Sequence, residues 1–313
     1  MQSMNWQGVI PAITTPFREN GSVDHDFLER HCGWLIENGC TGVVVLGSLG
    51  EGATLRWEEK LAVLNTAARA LKTKAPVVAG ISSLSTAESV ELARAAEAAG
   101  CSGLMVLPPY VYTGDWREMK AHVNAVLEAT PLSSMLYNNP IAYKTDFLPE
   151  QAAELLNEDA NLHAIKESSA DVRRISTLRS IAGERLNILC GVDDMIVEGV
   201  YAGATGWIAG LANAFPRESV ELFELAARGE KDKAFELYKW FLPLLRFDVV
   251  PKFVQLIKYT QEAVQMGSGR VRAPRLELSD DERAVVRDIV EHALSSRPSF
   301  ARTSQQAEAH ANR

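Results

Sequence analysis

The sequence predicts an α/β protein: a (β/α)8 TIM barrel over residues 1–215 followed by a C-terminal helical region over 216–296. Three observations carry this expectation. Short apolar runs of the buried-strand kind alternate with longer helical patterns eight times in roughly 210 residues, the size of one such barrel. Each run is followed by a helix, and eight such units suit a closed barrel better than an open doubly wound sheet. From Pro216 onward the pattern turns to helix alone.

The elements follow in order. Residues 8–14 read as the first strand, and 24–37 as a helix that turns Phe27, Cys32, Leu35 and Ile36 inward. Residues 42–46, Gly-Val-Val-Val-Leu, form a continuous apolar run, with a helix at 56–71 and the third strand at 76–80. The helix at 86–99 stops on Gly100, a common C-terminal signal. Residues 103–107 give the fourth strand, 115–129 a helix and 134–137 the fifth strand. The helix at 149–156 carries Pro149 in its first turn, where proline is tolerated. Strand six spans 162–166, strand seven 186–190 and strand eight 206–210, with helices at 171–181 and 193–201 between them. Four more helices are expected at 218–227, 231–245, 252–265 and 279–294, the first closing the eighth unit. Residues 297–313 are polar and patternless, as in a disordered tail.

Composition narrows the function classes. The chain is 47% hydrophobic and 23% charged, as a globular protein with a large core should be. It has no run of 18 uncharged apolar residues and no basic-then-apolar leader, so neither a membrane span nor a secretory signal is expected. Cys32, Cys40, Cys101 and Cys190 are widely spaced, and the six histidines form no H-x-H or H-E-x-x-H cluster. Reduced thiols in a cytoplasmic protein fit better than disulfides or a metal centre. A net charge of −8 argues against nucleic acid as a partner; the locally basic stretch 267–275 reads as a solvated loop.

In a barrel of this kind, chemistry sits at the carboxyl ends of the strands. Those ends carry hydroxyls, two tyrosine regions at 110–112 and 137, and one lysine, Lys166. Lys166 closes the apolar run Leu162-His163-Ala164-Ile165. Burying a lysine is costly, so either its head group snorkels to water or its amine is a Schiff-base nucleophile of lowered pKa. To work near neutral pH its pKa must fall by about 3 from 10.4, on the order of 4 kcal/mol, which burial can supply. The stretch Gly47-Ser48-Leu49-Gly50-Glu51-Gly52 is GxxGxG, neither a dinucleotide fingerprint nor a phosphate loop. It reads as a tight turn or as a nest of N–H groups for a carboxylate beside the Ser48 hydroxyl. Tyr137 reads equally as a core tyrosine or a proton relay.

Taken together the motifs resemble the dihydrodipicolinate synthase and N-acetylneuraminate lyase family over about residues 6–296. They are Gly8-Val-Ile-Pro-Ala-Ile-Thr-Thr-Pro-Phe17, Gly47-Ser-Leu-Gly-Glu51, Pro108-Pro-Tyr110, Tyr137-Asn-Asn-Pro140, Ile165-Lys-Glu-Ser168 and Gly191-Val-Asp193. The resemblance implies that Lys166 forms the Schiff base and that Tyr137 relays protons. It also implies that Ser48 and the backbone around Gly47 and Leu49 hold the carboxylate of a 2-oxo acid. Tyr110, Asn139, Gly191 and Gly210 fall at the substrate-facing ends of the same framework. No metal or organic cofactor is implied, and the usual assembly is a homotetramer, a dimer of dimers.

Two positions depart from the synthases. Their second relay tyrosine, which acts across a subunit interface, is Val111 here, and their arginine for the second substrate's carboxylate is Ala142, with Lys144 slightly late in the chain. A point charge replaces a bidentate fork poorly. A narrower likeness runs through Gly47–Gly52, 165–174, 206–211, 214–219 and 271–275 to the 1-pyrroline-4-hydroxy-2-carboxylate deaminases, with the 2-oxo-3-deoxy acid dehydratases as close relatives. The expectation is therefore a Schiff-base lyase that dehydrates or deaminates a small hydroxylated 2-oxo acid or cyclic imine. A dihydrodipicolinate synthase or pyruvate-dependent aldolase is the alternative, and a non-catalytic 2-oxo acid binding barrel is the rival from another class.

Overall fold

A computed structural model describes residues 4–109 and 112–298. The expected apolar runs become eight strands: β1 (Gly8–Pro11), β2 (Val43–Val45), β3 (Val77–Ile81), β4 (Gly103–Val106), β5 (Ser133–Asn138), β6 (Leu162–Glu167), β7 (Asn187–Cys190) and β8 (Gly206–Ala209). All neighbours pair in parallel, in the order β1-β8-β7-β6-β5-β4-β3-β2. The ends of that order also meet. Ala12 bridges Val44, Ile13 N–H donates to Val44 O at 2.9 Å, and Thr41 N–H donates to Val9 O at 2.9 Å. The ring closes, and the fold is a (β/α)8 barrel.

Both faces of such a sheet are covered, and every residue of β2, β3, β4 and β8 is buried. The surrounding helices start where the sequence supplies a side-chain oxygen for an orphan N–H. Asp24, Ser85, Asp115, Asp171 and Ser279 each accept from a first-turn amide. The helix Pro216–Ala227 covers the eighth unit, and Lys231–Leu245, Phe253–Ala263 and Asp280–Ser295 follow.

Three details bear on the site. The register sets Tyr137 beside Lys166, and Asn138 beside Glu167, at the carboxyl ends of β5 and β6. A short helix, Pro140–Tyr143, follows β5; four residues carry no periodic signal, so the sequence pattern did not predict it. A 3₁₀ turn, Arg246–Val249, links the helices Lys231–Leu245 and Phe253–Ala263 and packs on the turn Asp193–Met195 that follows β7. That contact brings the C-terminal region to the barrel mouth. Tyr110, Val111 and residues 299–313 of the expected tail lie outside the described residues; Arg297 is described and pairs with the buried Glu218. Among the described residues no helix is long and apolar enough to cross a membrane.

Candidate active site

Lys166 lies inside the mouth, 7% exposed, with its Nζ 4.0 Å from the centroid of the Tyr137 ring. The snorkelling alternative is thereby excluded. Burial pulls the amine below its usual range, and the nearby carboxyls of Asp248 and Asp193 work against that pull. Among the described residues no carboxylate forms an ion pair with Lys166 within 4.0 Å. Room for the side chain depends on Gly191: a methyl group there would stand 2.6 Å from Lys166 Cε.

Tyr137 is buried, and its hydroxyl accepts a hydrogen bond from Asn139 Nδ2 at 3.0 Å. Burial pushes its phenol up to about 12, while hydrogen bonds to Asn139, Ser168 and Tyr143 work in the opposite direction. It is therefore a neutral phenol near pH 7. Asn139 also starts the short helix, because its Oδ1 accepts Ala142 N–H at 3.0 Å. That helix delivers Tyr143. The Tyr143 hydroxyl hydrogen-bonds to Ser48 Oγ, and its ring meets the Tyr137 ring edge-on with centroids 5.8 Å apart. Three hydroxyls, those of Ser48, Tyr143 and Tyr137, thus form one chain beside the lysine.

The turn after β2 has the features of an anion nest. Leu46 and Glu51 flank it with φ of 63° and 53°, a conformation that side chains usually avoid. Gly52 packs on the Leu46 carbonyl so closely that any side chain would collide with it. The turn bonds internally through Glu51 N–H to Ser48 O and Gly52 N–H to Gly47 O. The N–H groups of Ser48 and Leu49 have no acceptor among the described residues, which suits them to a carboxylate. Glu51 anchors the turn from behind: its Oε1 takes Lys258 Nζ at 2.7 Å, and its Oε2 takes Arg272 N–H at 2.9 Å.

Gly210, at the end of β8, is flanked by two carboxyls. Asp193 is fully buried and accepts Gly210 N–H at 3.1 Å, Leu211 N–H at 2.8 Å and Trp207 Nε1–H at 2.9 Å. Burial nevertheless raises it to about 6. Asp248, half-buried, lies on the other side, where a methyl on Gly210 would stand 2.5 Å from its Cγ.

The structure thus gathers Lys166, Tyr137, Ser48, Leu49, Gly47, Asn139, Gly191 and Gly210 at one mouth, while Tyr110 lies outside the described residues. Asn138 belongs to the scaffold: it donates to Glu167 Oε2 and Asp146 Oδ1 and accepts Phe147 N–H at 2.9 Å. Lys144 does not replace the arginine absent at Ala142, because it is exposed and its ammonium donates to Ile141 O at 3.1 Å. Sequence reasoning missed Tyr143, Asp248 and the Glu51–Lys258 pair. A tyrosine one position after Ala142 was the only local signal for any of them.

The sequence model of the Dihydrodipicolinate synthetase family matches residues 5–293. The chain belongs to that family. It is a lyase of the lysine Schiff-base type. The 4-hydroxy-tetrahydrodipicolinate synthase of Methanothrix thermoacetophila is 33% identical over 286 residues, covering 91% of this chain and 96% of that one. The structure of the enzyme of that name from Methylacidiphilum fumariolicum superposes with a TM-score of 0.88 at 28% identity, over 93% of this chain and 98% of its own. YagE, a prophage protein of the same family from E. coli K12 solved in complex with pyruvate, superposes with a TM-score of 0.87 at 26% identity, over 92% and 98%. The two synthase names match the condensing alternative rather than the deaminase subgroup.

Proposed function

We propose that the chain condenses Lys166 with the carbonyl carbon of a small 2-oxo acid or cyclic imine and then eliminates water, with loss of ammonia where the substrate supplies it. A compound such as 1-pyrroline-4-hydroxy-2-carboxylate has the required groups. The observation that carries this reading is the buried Lys166 amine, without an ion-pair partner among the described residues, beside the Ser48–Tyr143–Tyr137 hydroxyl chain.

The substrate carboxylate sits on the N–H groups of Ser48 and Leu49, which places C2 toward Lys166. Neutral amine attacks C2, and the hydroxyl chain carries protons to the departing carbonyl oxygen. The protonated imine then acidifies the C3–H bond. Tyr137, a phenol, accepts that proton only as it passes its own to Tyr143, so it works as a relay and not as a standing base. Tyr143 supplies from the same chain the second hydroxyl that the synthases take across a subunit interface. Elimination is supported by the rest of the mouth, where Ala142 offers no cation and Asp193 adds a negative group beside the carboxyl of Asp248, a poor reception for a second anionic substrate. The family's homotetramer and a cytoplasmic location belong to this reading.

The second reading is condensation of pyruvate with an aldehyde, favoured by the names of the relatives. One assay separates the two. Elimination predicts ammonia or water loss from a single substrate; condensation predicts that pyruvate disappears only when an aldehyde is present. Borohydride reduction in the presence of pyruvate should add a fixed mass to the peptide holding Lys166. No adduct would reject both and leave the non-catalytic barrel.

A further inference from the structure

We propose that Asp248 is the acid of this site: it faces the end of the substrate remote from the 2-oxo carboxylate and protonates the departing hydroxyl. The proposal rests on the Schiff-base reading above.

Asp248 reaches the mouth only because the turn Arg246–Val249 packs on the turn Asp193–Met195. There it lies against Gly210, at a place no other residue type would leave open. Asp193 approaches the same glycine from its N–H side. Both carboxyls act on Lys166. Two carboxyls and one amine gathered in a largely desolvated cluster do not all carry charge, so the cluster retains a proton.

The hydrogen bonds say where that proton resides. Asp193 accepts from three N–H donors, each of which favours its ionised form. Asp248 accepts none among the described residues. Charge therefore settles on Asp193, and Asp248, which is only half-buried, keeps its proton as a carboxylic acid. Burial and the charge of Asp193 both push Asp248 well above the usual carboxylate range. A carboxyl kept neutral beside an ionised neighbour is equipped to donate.

The step balances. After C3 has lost its proton to the tyrosine relay, the enamine nitrogen pair re-forms the C2=N bond and the C2=C3 pair moves to C3=C4. The C4–O bond breaks, and the hydroxyl leaves as water with the Asp248 proton. Asp248 is left as a carboxylate and is reprotonated by solvent at the mouth. The substrate class follows: a 2-oxo acid or cyclic imine with a hydroxyl at C4 and no second carboxylate at its far end.

The test compares the full chain with Asp248→Asn on two readouts. The first is the borohydride-reduced pyruvate adduct at Lys166. The second is elimination from a 4-hydroxy-2-oxo acid and from its 4-fluoro analogue, whose fluoride departs without a proton. The expected result is an unchanged adduct yield, a loss of about 100-fold or more on the hydroxy substrate, and near wild-type turnover of the fluoro substrate. Near wild-type turnover of the hydroxy substrate by the variant, or equal losses on both substrates, would overturn the proposal. So would an adduct formed by the wild type but not by the variant, since Asp248 would then serve imine formation or folding. If the wild type itself forms no adduct, the Schiff-base reading fails first and takes this one with it.

Discussion

The molecule buries two lysines, and they have opposite fates. Lys166 and Lys258 are 7% and 1% exposed. Each ammonium sits over an aromatic ring, Tyr137 at 4.0 Å and Phe17 at 4.3 Å. Burial lowers both, Lys258 to about 8. Yet Lys258 donates hydrogen bonds to fixed acceptors, Glu51 Oε1 at 2.7 Å and Thr15 O at 2.8 Å, while Lys166 has no such acceptor among the described residues. Desolvation alone does not make a nucleophile. What distinguishes Lys166 is that its lone pair, once the proton is gone, is uncommitted and faces an open mouth, whereas the Lys258 nitrogen is held inside a framework that braces the carboxylate turn.

Exchanging the two lysines' losses tests this contrast. Lys166→Ala should lower turnover on the order of 10⁴-fold or more, the scale of removing a covalent nucleophile, with an unchanged thermal midpoint; kinetics and calorimetry read the two. Substantial residual activity would erase the distinction. Lys258→Met should do the reverse. It takes from the buried Glu51 its nearest cation and leaves it only Arg272 N–H and the more distant Arg275, and denaturant titration should show a loss of about 3 kcal/mol. Pairing it with Glu51→Leu should recover part of that loss, because the stranded charge is gone; a double variant no better than the single would show that packing, not charge, sets the cost. The smallest expected effect concerns how Lys166 is served. Tyr143→Phe breaks the hydroxyl chain but keeps the ring against Tyr137, so turnover should fall about 100-fold while the reduced pyruvate adduct still forms at Lys166. An unaffected rate would mean that Ser48 and Tyr137 exchange protons through solvent.

The same contrast explains how much of the molecule was legible in its sequence. The barrel was legible because strands buried on both faces leave continuous runs such as Val43–Val45, and a lysine ending one of them is conspicuous. Lys258 was not conspicuous. It stands in the amphipathic stretch Phe253–Ala263, where a lysine reads as a surface residue, and its partner Glu51 looks like part of a polar turn. Only the fold makes them meet. Tyr143 was hidden for a related reason: its four-residue helix has no periodicity, and its place at the mouth depends on Asn139 capping that helix. Asp248 was least visible, because a 3₁₀ turn between helices carries no strand-end signal.

The turn that carries Asp248 divides responsibility at the mouth between distant parts of the chain. Imine formation is written into the barrel strands, which tolerate little change because each is packed on both sides. Asp248 comes instead from a connection between two helices, packed on those helices and on the turn Asp193–Met195, and of its four residues only Phe247 is buried. New substrates could therefore be acquired by exchanging a few residues around 246–249 while the lysine, the tyrosines and the carboxylate turn stay as they are.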